Sequence, residues 1–266
     1  MRKICSRLFF CLVLISPLAR ANFDAGLSAY KRGDYPGALK EWQAPVAQKD
    51  DKVQYGLALM AEEGKGLRQD YKAAVDLYRP AAEHGFAPAQ YKLGCMYTDG
   101  KGVEKDLTQA AKWFRLAADH GYAAAEVNLG LMYIKGDGIT RDYKQALKLF
   151  RRASSAAPGK AVYDPISQGL QPASADAVAL GQNHLATMVF NGMDMTPNKI
   201  AGYAIYNISL TNDSSRANPA AINRKALDAY MGPNDAKAAE NLTKKMSQPG
   251  NLLPALDQYI AQHPIR

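Results

Sequence analysis

Cysteine is scarce: the 266-residue chain has three, and two of them, Cys5 and Cys11, lie close to the N-terminus. If that segment is removed, one thiol remains, which excludes an internal disulfide framework and leaves packing to hold the fold. The remaining thiol, Cys95, sits in the helical run LGCMY (93–97) and reads as a small, fairly apolar helix residue. A reactive thiol would want a basic neighbour, and the sequence identifies none. Long apolar runs are missing too. The stretch 8–18 offers roughly ten apolar residues, whereas a spanning helix needs about 20. Nothing downstream comes closer, which predicts no integral membrane segment. Dense charge of one sign is absent: acidic and basic residues are interspersed, whereas nucleic-acid binding usually needs a concentrated basic stripe. Catalytic signatures such as HExxH and GxSxG do not occur. No catalytic residue, cofactor or metal site is predicted.

The N-terminus does carry a signal. Arg2, Lys3 and Arg7 precede the short apolar run, and Ala19-Arg20-Ala21 follows it as a small-x-small cleavage pattern. This predicts a signal peptide over 1–21, a mature chain starting at Asn22, and a soluble exported protein. Cleavage removes Arg2, Lys3, Arg7 and Arg20 and no acids, so 33 cations become 29 against 25 acids and the net charge falls from +8 to +4.

Glycine is concentrated in one recurring element: GKGLRQD at 64–70, GKGVEKD at 100–106 and GDGITRD at 136–142. A phosphate loop needs such glycines after a strand; here they follow a helical pattern and occur three times. With a period of 36, Leu57, Leu93 and Leu129 align, as do Met60, Met96 and Met132 upstream of the glycines. Asp70, Asp106 and Asp142 close the loop. Ala74, Ala110 and Ala146, then Tyr78, Phe114 and Phe150, then Ala81, Ala117 and Ala153 follow at helical spacing. A fixed period of this length signals a helical repeat array. Each Asp precedes a second helix, where a carboxylate accepts the free N–H groups of the first turn.

LGCMYTDGKGVEKDLTQAAKWFRLAADHGYAAA (93–125) and its neighbours resemble the Sel-one-like repeat, a relative of the tetratricopeptide repeat. The resemblance implies an all-α fold: a right-handed α-solenoid of helix-turn-helix repeats with a C-terminal helical cap. The expected layout is a half unit at 23–52 and units at 53–88, 89–124 and 125–157. A loop insertion at 158–177, rich in Pro, Gly, Ser and Ala, precedes a degenerate unit at 178–212, and a cap of two or three helices covers 213–266. In the degenerate unit GxG has become Gly192-Met193-Asp194, and its loop is expected to close differently.

Stacked helix pairs create a concave surface, lined by the first helix of each unit. Offsets from the core columns place Leu59, Glu62, Glu63, Lys92, Thr98, Asp99, Asn128, Leu131, Ile134, Lys135 and Phe190 there as partner-binding candidates. Leu59 and Leu131 have an equally simple reading as packing residues. His84 and His120 share a repeat position at the end of a second helix and read as capping groups; His184 and His263 have no visible partners. The resemblance implies a periplasmic protein–protein interaction module: an adaptor, a regulator of an envelope sensor or assembly protein, or an immunity protein against a secreted toxin such as a lipase. Two alternatives stay open, a hydrolase of the β-lactamase-like repeat type and a cell-envelope scaffold.

Overall fold

The computed structural model describes residues 17–44, 49–155, 173–212 and 218–263, with side chains from 23 onward and from 177 in the third segment. Thirteen α-helices and no strand occur among the described residues. They run in sequential pairs: α1 (Pro17–Lys31) with α2 (Tyr35–Trp42), α3 (Asp51–Glu63) with α4 (Tyr71–Glu83), α5 (Ala87–Asp99) with α6 (Leu107–Asp119), α7 (Ala123–Lys135) with α8 (Tyr143–Ser155), and α9 (Ala173–Asn191) with α10 (Lys199–Asn212). Three further helices, α11 (Ala220–Asp228), α12 (Pro233–Met246) and α13 (Leu252–Gln262), follow. The fold is the all-helical solenoid that the repeat implies.

The loop chemistry explains the repetition. Gly64, Gly100 and Gly136 end their helices in the left-handed conformation, at φ 68°, 71° and 78°. The second glycine of each loop has a different duty. A Cβ at Gly102 would meet the backbone of Tyr71, and one at Gly138 the backbone of Leu107 and Thr108. The loop therefore lies directly on the start of the preceding unit's second helix. Asp70, Asp106 and Asp142 then accept from the first-turn N–H groups of Ala73, Gln109 and Gln145 at 2.9–3.0 Å.

The degenerate unit departs from expectation. Its loop closes in the same way as the others: Gly192 and Asp194 take φ 69° and 63°, the values of the glycines they align with. Asn198 N–H donates to the Val189 carbonyl, as Asp142 N–H does to Tyr133, and the Asn198 side chain caps Ala201 at 2.9 Å. Aspartate's short polar side chain tolerates the left-handed region, so the second glycine is dispensable there.

The segment 23–52 contains most of α1 and all of α2. Trp42 is fully buried beneath α1, where Gly26 leaves room for the indole and its Nε1 donates to the Phe23 carbonyl at 3.3 Å. Of the insertion at 158–177, residues 173–177 belong to the start of α9, a correction to the loop reading for those five; the rest lies outside the described residues, as does the stretch 1–16. No helix among the described residues is long and apolar enough to cross a membrane.

Candidate protein-interaction surface

Between the first helices of successive units, three repeat-equivalent positions meet: one from the first helix, one from its partner helix, and one from the first helix of the next unit. In the first full unit they are Glu62, Tyr78 and Lys92. The Tyr78 hydroxyl donates to Glu62 Oε2 at 2.6 Å, and Lys92 Nζ lies 3.1 Å from the same oxygen. In the third they are Ile134, Phe150 and His184, with the His184 imidazole stacked on Phe150 at 5.1 Å between centroids. Burial, and then the charge of Lys135, hold the His184 pKa below its usual range.

The middle unit has smaller groups at the first and third positions: Thr98, Phe114 and Asn128. Thr98 folds back to donate to the Gly94 carbonyl at 2.8 Å, and Phe114 has no hydroxyl to offer. Space filled on either side by a charged pair or a stacked imidazole is left open, as a cavity of about 260 Å³. Cys95, Leu107, Phe114, Leu131 and Met132 give it an apolar side; Thr98, Asp99, Asn128, Lys135 and Asp137 give it a polar one. Burial pushes the Cys95 thiol up to about 11, so it serves as lining and not as a nucleophile at neutral pH.

Thus five predicted residues, Thr98, Asp99, Asn128, Leu131 and Lys135, come together at one cavity. The others separate from it. Leu59 is only 4% exposed, in a core that includes Phe23 and Tyr30 of α1 and Leu93 and Met96 of α5; it offers no surface to a partner, which corrects its assignment. Glu62 and Lys92 are occupied with each other. Glu63 is held by Lys65 at 2.7 Å and by the Tyr30 hydroxyl at 3.0 Å, where burial pushes the Tyr30 phenol up to about 12. Ile134 and Phe190 are half-buried against the core of the C-terminal half. Sequence reasoning missed Met132 and Phe114, which it assigned to core columns, and Leu107 at the start of α6; all three line the cavity.

Elsewhere, His84 and His120 are the C-cap residues of α4 and α6. The Asp51 carboxylate, 2.7 Å from His84 Nδ1, raises the His84 pKa. Among the described residues, no three His, Cys, Asp or Glu side chains converge as metal ligands.

Paired helices, left-handed glycine turns and repeat-equivalent packing define a helical repeat protein of the solenoid class. The Sel1 repeat profile matches three successive segments, 52–86, 87–122 and 123–157, so the chain carries three Sel1 repeats. The crystal structure of a Sel1 repeat protein from Oxalobacter formigenes is similar, with 27% identity and a TM-score of 0.51 over 72% of this chain and 86% of that one. A protective antigen present in uropathogenic Escherichia coli strains, which displays an SLR fold, is also similar. Its identity is 27% and its TM-score 0.51, over 85% of this chain and 54% of the antigen, so the present chain spans about half the antigen's length. No curated protein matches. Sel1 repeats generally form protein–protein interaction modules.

Proposed function

We propose that this is an exported, periplasmic interaction protein that holds a protein partner on its concave face, with one partner side chain entering the cavity between α5 and α7. The cavity carries the reading: the same three positions are filled by their own side chains in the units before and after, whereas in the middle unit they border an open space. Its mixed lining suits a medium-sized apolar side chain with a polar flank, the kind of anchor that dominates interface energetics. The partner is an envelope sensor or assembly protein, or a secreted toxin that the chain neutralises.

Export fits the start of the fold. Cleavage before Asn22 would keep Phe23, whose carbonyl accepts the Trp42 indole N–H, and the rest of α1 from there on. N-terminal sequencing of the periplasmic fraction should read Asn-Phe-Asp; an uncleaved chain in the cytoplasm overturns the export reading.

The decisive experiment plugs the cavity with the protein's own solution. Thr98→Glu with Asn128→Lys reproduces the Glu62–Lys92 pair at the equivalent positions. Tagged wild type and variant are expressed in the native bacterial host, lightly crosslinked and recovered from the envelope fraction. Wild type should bring down one abundant partner, and the plugged variant, with unchanged helical circular dichroism, should lose it at least about tenfold, the scale of one anchor residue. Equal capture by both removes the cavity from the binding site. No specific partner for wild type defeats the interaction reading itself.

A further inference from the structure

Position 126 breaks a column. Its equivalents are Gln54, Gln90 and Gln182. Gln90 Nε2 donates to the Ala82 carbonyl at 3.0 Å, and Gln182 Nε2 to the Ser154 carbonyl at 3.2 Å. Ala82, Ala118 and Ser154 are themselves equivalent, each in the last turn of a second helix. The buried glutamines Gln90 and Gln182 therefore each stitch their unit to the one before it. Glu126 occupies this site at 3% exposure, and an ionised carboxylate has no proton to give to Ala118.

A second departure compensates for the first. Arg152 on α8 aligns with Pro80 and Leu116, neither of which is charged. Its Nη2 donates to the Ala118 carbonyl and lies 2.9 Å from Glu126 Oε1. Glutamate is isosteric with glutamine, so a protonated Glu126 can make the stitch unaided, its O–H donating to Ala118 as Gln90 Nε2 donates to Ala82.

We propose that Glu126 and Arg152 form a proton-operated latch across the seam between the second and third Sel1 repeats. In the ionised state Arg152 bridges the carboxylate and the Ala118 carbonyl. In the protonated state the carboxyl takes the carbonyl itself, and Arg152 is released to solvent. Among the charged groups of the described residues, Arg152 acts on the carboxylate. At the end of α6, Asp119 and His120 are exposed; on α8, Arg151 is engaged with Asp257; on α9, His184 stacks on Phe150. Burial pushes Glu126 up to about 7, against the opposing pull of Arg152. Because the folded carboxyl binds its proton more tightly than the unfolded one, the contribution to stability is full below about 4.5 and is lost as pH rises to about 7. The latch lies on α7, the helix that carries Asn128, Leu131 and Lys135 of the cavity.

Urea unfolding of the full chain between pH 5 and 8 tests this. Relative to Glu126→Gln, wild-type stability should fall over that range. Arg152→Ala should lower the folding equilibrium constant at least about tenfold at pH 8, where it strands a buried charge, and no more than about threefold at pH 5. Glu126→Gln combined with Arg152→Ala should return to within about threefold of Glu126→Gln alone at pH 8. In carbon NMR the Glu126 carboxyl should titrate near neutrality. An Arg152→Ala cost that is the same at both pH values, or a Glu126 midpoint near 4.5, overturns the latch.

Discussion

Two glycines with nearly the same backbone do different work. Gly121 and Gly138 sit at φ 78° and 68°. A Cβ on Gly121 would meet nothing within 4 Å, whereas one on Gly138 would meet the backbone of Leu107 and Thr108. Gly121→Ala should therefore cost only the left-handed penalty, about 1 kcal/mol. Gly138→Ala must also push one unit off another, which adds about 1–3 kcal/mol of overpacking. Denaturant unfolding of the two variants measures the difference; equal losses would show that the inter-unit approach is not tight. Periodicity places Gly138 in its column, but which glycine makes the close approach is decided by the packing of the preceding unit. Asp194 shows the limit from the other side: the loss of glycine from the motif reads as a change in the loop, yet the backbone keeps its course because aspartate accepts the same φ.

The N-terminal hairpin shows at the scale of elements what periodicity cannot find. α2 aligns at the period of 36 through Tyr35, Ala38 and Trp42. α1 does not, because the loop between Gly33 and Asp34 is a single step where the other loops run from Gly64 to Asp70. Removing five loop residues shifts α1 out of register while leaving its packing intact. Asp34 N–H, directly after the left-handed Gly33, donates to the Ala29 carbonyl, as Lys65 N–H after Gly64 does to Met60. The concave cavity was half legible in the same sense. Offsets identified the helix face, but whether a position is open depends on the neighbouring side chains, and these change from unit to unit. Leu59 is covered where Leu131 is not. The hairpin rests heavily on Trp42, which is fully buried and stacks with Phe23 at 6.3 Å between centroids. Trp42→Ala should cost about 3–5 kcal/mol. Since each unit of a solenoid contacts only its neighbours, the loss should appear locally. Hydrogen exchange should accelerate in α1 and α2 and leave α7 to α10 protected; uniform acceleration would mean that the array unfolds as one cooperative block.

At the scale of the molecule, a solenoid must finish its last unit, and here α11, α12 and α13 do so. Ala239, Leu242 and Met246 of α12 and Leu252, Ala255 and Leu256 of α13 share a buried core with Ala201, Ile205 and Ile208 of α10. The most visible link between cap and array is polar: Arg151 Nη2 lies 2.6 Å from Asp257 Oδ2. Both groups are partly in water, so this pair contributes little, and Asp257→Ala should leave stability within about 1 kcal/mol of wild type. The apolar seam is what matters. Ending the chain after Asn212 would uncover Ile205 and Ile208 along a whole helix, an exposed apolar stripe of the kind that drives association. The truncated protein should keep helical circular dichroism from α1 to α9 and run as dimers or larger species in light scattering, while the Asp257→Ala protein should match the oligomeric state of wild type. If the truncated chain matches it as well, then α10 seals its own face and the last three helices are an appendage with some other duty, open to the same partner-capture test as the concave face.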